Sequence, residues 1–174
     1  EKIAANEALA EFPFLAINIF DSTTKAQEAY CQNSVMVERG GVQIGIIGAV
    51  GDVYSSISGE QTDGFYFKTG AELTQLVKNE SKALRERGAD FIVYVLHDGY
   101  GQSKNGVTDI AGNALASYYD VDLSNGYVDV VFEGHTHQGY MLKDEHGVYH
   151  LQNRGDNKGG ISHAEVAINS ITLQ

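Results

Sequence analysis

At 174 residues and 43% hydrophobic content, the chain is long enough for one domain with a buried core. Its 12 Lys and Arg against 23 Asp and Glu leave a net charge of −11 with no basic cluster, which argues against a nucleic-acid polymer as partner, because neutralising phosphates in series needs clustered Lys and Arg. The single cysteine, Cys31, excludes an intrachain disulfide and a four-cysteine zinc site, and no apolar run approaches the ~20 residues of a membrane span.

Residues 1–11 are alanine-rich and read as the end of a helix begun upstream; Pro13 stops it, and FLAINIF (14–20) alternates toward a strand. Residues 21–33 are polar and read as loop. Residues 34–39 and 42–50, joined at Gly40-Gly41, read as a β-hairpin whose second arm is apolar on both faces. After a loop over 51–64, Thr69 with Glu72 forms a capping-box signature that opens a helix to about Arg87. Its buried stripe is Leu73, Leu76, Val77 and Leu84, and Gly88 ends it. FIVYVL (91–96) is a second continuous apolar strand, ending at His97. Beyond a glycine-rich loop, Thr108 is expected to cap a short helix to about Tyr119. VDVVF (128–132) is a third apolar strand, ending at Gly134-His135-Thr136-His137. The remainder reads as antiparallel strands over 139–142, 148–153 and 161–168, with a turn at 144–147.

The order strand–helix–strand–helix–strand predicts an α/β fold with parallel central strands and antiparallel C-terminal ones, in which ligands gather beyond the carboxyl ends of the strands. His97, His135 and His137 all fall there. Neutral imidazole is a good ligand for Zn²⁺, Mn²⁺ or Fe²⁺. H-x-H alone recurs by chance in polar loops, and His97 alone is an ordinary strand-end residue. Their shared place after buried strands gives them weight, and Gly99 offers room for close approach of a ligand. His146, in a turn, and His150 and His163, within expected strands, carry no such signal.

The segments VYVLHDG, VDVVFEGHTHQ and the closing LQNRGDNKGG…AEVAI resemble the calcineurin-like metallophosphoesterase superfamily, and more narrowly its 5′-nucleotidase and 2′,3′-cyclic-nucleotide phosphodiesterase branch. The resemblance runs over nearly the whole chain. It implies a partial α/β/β/α sandwich with two divalent metal ions (Zn, Mn or Fe), His97 and His135 ligating one and His137 the other. It also implies hydrolysis of nucleotide phosphomonoesters or cyclic phosphodiesters through a metal-bridged hydroxide. The family's earlier motifs, D-x-H, G-D and G-N-H-E, have no match here in the family's order. The chain is therefore read as one partial domain, 1–174, with those motifs expected upstream of Glu1 and a substrate-specificity domain expected after Gln174. Asp144-Glu145-His146, Gly51-Asp52 and Gly112-Asn113 copy fragments of the missing motifs at the wrong places and are set aside.

With the bridging carboxylate and the leaving-group acid missing, the isolated chain is expected to be nearly inactive, and no catalytic acid or base is assigned. The alternative is a non-catalytic metal- or ligand-binding α/β module. The expected partner is a small nucleotide or related phosphoester, and the resemblance favours a periplasmic, cell-surface or secreted location.

Overall fold

The computed structural model describes residues 2–51, 53, 56–108, 114–117, 127–144, 146–155 and 160–168. Helix α1 (Lys2–Glu7) leads into β1 (Ile19–Asp21), then the hairpin β2 (Ser34–Arg39) and β3 (Val42–Val50), a 3₁₀ turn at Gly59–Gln61, and β4 (Phe65–Phe67). Helix α2 (Gly70–Glu86) and β5 (Phe91–His97) follow, then β6 (Tyr100–Thr108), β7 (Ala114–Ser117), β8 (Val130–Glu133), β9 (Tyr140–Lys143) and β10 (Tyr149–Gln152).

Six strands form the main sheet in the order β2-β3-β5-β8-β10-β9. β3, β5, β8 and β10 run parallel, and β2 and β9 are antiparallel edges. The continuous apolar runs thus do pair as parallel neighbours, Val50 facing His97 and Leu96 facing Glu133 at their carboxyl ends. The C-terminal hairpin adds only one antiparallel strand, since β10 slots parallel beside β8.

Helix α2 covers one face of this sheet. Leu73, Val77 and Leu84 are fully buried and cluster with Ile47, Ile92, Tyr94 and Leu96, while Leu76 packs at the margin. Thr69 is the N-cap residue, but its side chain makes no capping bond, so the Thr69–Glu72 signature marks the position without the reciprocal pair. Gly88 follows the C-cap at φ +97°, a conformation that strains any residue with a Cβ.

On the opposite face, Val95 is 46% exposed and His97 shares its register. β5 therefore alternates between a buried face (Ile92, Tyr94, Leu96) and a half-open one, rather than being buried on both. Open cavities of about 370 and 510 Å³ lie on this face. The first is lined partly by Val93, Val130 and Phe132, the second by Phe14, Val95 and His97.

Three expectations are corrected. The helix expected from Thr108 to Tyr119 is replaced, where described, by the antiparallel pair β6–β7. Gly101, Gly106 and Val107 belong to the expected glycine-rich loop, where β6 forms instead, and within the expected helix pairing overrides the helical preference of Ala114, Leu115 and Ala116. Residues 161–168 join no strand ladder among the described residues: Ala164, Val166 and Ile168 line the cavities over the sheet face with Phe91 and Val130. Of the strand expected over 14–20, Ile19–Asp21 forms against Phe65–Phe67, and the first half is reduced to a single parallel bridge from Leu15 to Gln32. Fully buried Asn18 breaks the run, its Nδ2 donating to the carbonyls of Val50 at 2.5 Å and Lys68 at 2.9 Å. Its Oδ1 accepts from Val50 N–H at 3.0 Å, so the side chain supplies the bonds a neighbouring strand would and pins the end of β3.

Candidate metal centre

Each candidate ligand sits where a strand runs out. His97 is the last residue of β5, and His135 and His137 follow β8 after Gly134. Main-chain bonds continue past the strand ends, from Gly51 N–H to His97 O at 3.3 Å and from Gly134 N–H to Asp98 O at 3.0 Å, fastening the three loops side by side.

The structure brings His97 and His135 into contact. His97 Nε2 and His135 Nδ1 are 3.2 Å apart, with ring centroids 5.0 Å apart and planes at 71°. Ser56 Oγ lies 3.3 Å from His135 Nε2, on the other side of the same ring. If Nε2 carries the proton toward Ser56, Nδ1 is left with its lone pair toward His97. Burial, then the neighbouring His135 and His137 charges, hold the His97 pKa below the usual value, and burial followed by His137 does the same for His135. Both rings therefore favour the neutral, ligating form. Nitrogens 3.2 Å apart suit a shared ion with bonds of about 2.0–2.1 Å, so this pair fits one metal in chemistry and spacing.

His137 takes a different place. It has φ +57°, and its ring lies over Gly155 where any Cβ would collide with it, so Gly155 is a glycine because of that close approach. The His137 ring lies near enough to both other rings to help hold their pKa values down. Among the described residues, no group of three His, Cys, Asp or Glu side chains stands close enough to hold a metal ion.

Gly99 departs from expectation. The space a side chain would need there is filled by Gln152 Oε1, the carbonyl of Gly134 and the Tyr140 hydroxyl, so the room belongs to the protein's own packing and not to a ligand. Of the motif look-alikes, Asp144 Oδ1 accepts the N–H groups of His146 at 2.9 Å and Val148 at 2.8 Å, engaged in its own turn. Asp52 and Asn113 lie outside the described residues.

Behind the histidines runs a buried polar network that the sequence reading passed over. His150, 1% exposed on β10, places Nδ1 2.6 Å from Glu133 Oε1 and Nε2 3.2 Å from Asp144 Oδ2, and the Tyr140 hydroxyl donates to Glu133 Oε2. Burial raises the Glu133 pKa more than its hydrogen bonds from His150 and Tyr140 lower it. For His150, burial is the largest single influence and lowers the pKa, but the combined bonds and charges of Glu133 and Asp144 outweigh it and the net shift is upward. The available signal was polar residues, His150 and Gln152, at inward positions of a short strand.

No protein-family model matches the chain. It is 31% identical over 127 residues to an apyrase from Tabanus yao, a match covering 72% of this chain and 19% of the apyrase. A 5′-nucleotidase precursor from Thermus thermophilus superposes with a TM-score of 0.60 at 20% identity, covering 87% of this chain and 29% of that one. The calcineurin-like phosphoesterase YfkN from Bacillus subtilis gives 0.56 at 16% identity, covering 83% and 47%. The chain thus spans about a fifth of the apyrase and under a third of the nucleotidase precursor. Its fold is that of the calcineurin-like phosphoesterases and 5′-nucleotidases, and the apyrase match supports the 5′-nucleotidase branch that its motifs resemble.

Proposed function

We propose that the chain is part of a metal-dependent phosphohydrolase of 5′-nucleotidase type, in which His97 and His135 ligate one divalent ion and His137 a second. The observation that carries the reading is the 3.2 Å approach of two imidazoles at the ends of adjacent parallel strands, at the sheet edge where such folds bind ligands. Bound metal would supply Lewis acidity toward a phosphoryl oxygen and a nucleophile usable near neutral pH. The chain's own residues present bare nitrogens at fixed positions: Ser56 orients the His135 ring, the tied loops set the spacing of His97 and His135, and Gly155 admits the His137 ring.

A cation at this edge also lets a protein of net charge −11 accept an anionic nucleotide, which favours small phosphoesters over polymers. Two close imidazoles fall short of the three-ligand sites that hold catalytic zinc, and on the family resemblance the further ligands belong to the D-x-H, G-D and G-N-H-E motifs, without which turnover is nearly absent. A substrate-specificity domain and a location outside the cytoplasm belong to the same reading and rest on the family resemblance.

The test uses the parent protein and the chain side by side. His135→Ala in the parent should lower nucleotide or phosphodiester turnover by at least about 100-fold, the upper end of what losing a mere outer-shell partner costs. His97→Ala should be comparably severe. The 174-residue chain should stay at background with Mn²⁺ or Zn²⁺. Wild-type turnover in His135→Ala would end the ligand assignment and leave the non-catalytic module. Metal-dependent turnover by the chain alone would reopen Asp52, Asn113 and Asp144.

A further inference from the structure

The turn that presents His135 is built in an unfavourable conformation. Thr136 N–H donates to Gly134 O at 2.8 Å, closing a three-residue turn with His135 at its centre at φ +68°, the rarer and more strained hand of such turns. Two residues on, His137 is also left-handed at +57°. A loop with two non-glycine residues in that region holds only if the surroundings over-determine it.

One side chain does so from beneath. Gln152, the last residue of β10, is 3% exposed, and its Nε2 donates to Thr136 Oγ1 at 2.6 Å and to Gln138 O at 2.7 Å. Both amide hydrogens are thereby committed, one on each side of His137. The amide oxygen points at the Gly99 backbone and has no hydrogen-bond partner among the described residues. Exchanging the amide's O and N would set oxygen against the Gln138 carbonyl, which fixes the orientation. A buried amide with an unpartnered oxygen costs stability that a leucine of similar size would not. Both bonds that offset this cost go to the histidine loop.

We infer that Gln152 is a positioning residue that holds the Gly134–Gln138 turn, and with it His135 and His137, in ligating geometry. The part of this role that concerns metal rests on the proposed ligand reading; the grip on the loop does not.

The experiment compares the 174-residue chain with Gln152→Glu, which keeps size but replaces the donating nitrogen with oxygen. Amide hydrogen exchange is followed by NMR, and Zn²⁺ affinity by calorimetry. Exchange at Thr136 N–H should speed up by about 10-fold or more while amides of β5 stay as in the wild type, and Zn²⁺ affinity should fall by about 10–100-fold. A merely structural glutamine would speed exchange across the whole sheet together, and that result, or an unchanged Thr136 rate, overturns the inference.

If Gln152→Glu does not fold, the loop side gives the same answer. Thr136→Val removes the accepting hydroxyl and should loosen the turn, and Thr136→Ser restores it and should behave as wild type. Failure of serine to rescue overturns the inference. His135→Ala separates the two readings. If it leaves Zn²⁺ affinity unchanged, the ligand assignment fails and exchange alone decides the role of Gln152. If it abolishes binding while Gln152→Glu leaves binding intact, the positioning role fails and the ligand assignment stands.

Discussion

In the β3–β5 half of the sheet, Ile47, Ile92 and Leu96 cluster with Leu73, Val77 and Leu84 of α2, a layer of aliphatic side chains. In the β8–β10–β9 half, apolar Val131, Leu142 and Val148 share the interior with Glu133, His150 and Gln152, whose polar atoms bond to one another's neighbours and to the histidine loop. Hydrophobic burial needs no partner atoms, so the first half can be altered at the cost of volume alone. Buried charge must be matched atom for atom, so the second half ties stability to one arrangement. The candidate ligands bridge the two: His97 ends a strand of the aliphatic half, and His135 and His137 follow a strand of the polar half.

The sharpest way to break this comparison is to remove one member of the buried pair. Glu133→Ala leaves His150 facing Asp144 without its closer carboxylate and should cost about 3–5 kcal/mol in chemical denaturation. Replacing Glu133 and His150 together with apolar residues of similar volume should recover most of that loss, because neither charge is then stranded. If the double variant is as unstable as the single one, the pair is needed for the fold itself and the contrast between the halves is wrong. Leu84→Ala, in the aliphatic half, should cost about 2–5 kcal/mol, and no second substitution in the polar half should repair it.

The same contrast explains what could be read from the sequence. The parallel order of β3, β5 and β8 and the burial of α2 were legible, because apolar runs and a 3.6-residue stripe report hydrophobic burial directly. So were the strand-end positions of His97, His135 and His137, since strand ends follow from strands. The polar half was not. His150 and Gln152 read as ordinary strand residues because their partners, Glu133, Asp144 and Thr136, come from other segments, and a hydrogen bond leaves no periodicity. Gly99 was misread for the same reason, its space being claimed by residues distant in sequence. The β6–β7 pair was missed because strand pairing overrode local helical preference.

A pH dependence of stability should sharpen the comparison further. Both nitrogens of His150 face carboxylate oxygens, an arrangement fully satisfied only by the imidazolium when both carboxylates are ionised. Its folded pKa is raised, so its contribution is complete below the unfolded value of about 6.5 and fades as pH rises through the folded value. Glu133, also raised, moves in the same sense: protons are bound more tightly in the folded state, and stability falls as they leave. Thermal or denaturant midpoints should therefore decline in two steps, from about pH 4.5 upward as Glu133 ionises and above about pH 6.5 as His150 loses its proton, and the upper step should flatten in His150→Gln. A slope equal to wild type in that variant would remove His150 from the account.

The smallest effect belongs to the other histidine of the same hairpin. His146 lies four residues before His150, in the turn, and is exposed, whereas His150 is 1% exposed. The turn takes its shape from Asp144, whose Oδ1 accepts the backbone N–H groups of His146 and Val148; alanine at 146 keeps that N–H and hence the bond. His146→Ala should shift stability by less than about 0.5 kcal/mol and leave turnover of the parent within a few-fold. Asp144→Ala, by contrast, removes two turn bonds and one of the carboxylates facing His150, so it should resemble a mild form of Glu133→Ala. Two histidines four residues apart in sequence would then differ several-fold in their cost to the fold, through burial and partners alone. If His146→Ala proved as damaging as Glu133→Ala, the exposed turn would belong to the polar network and its boundary would have to be redrawn to include it.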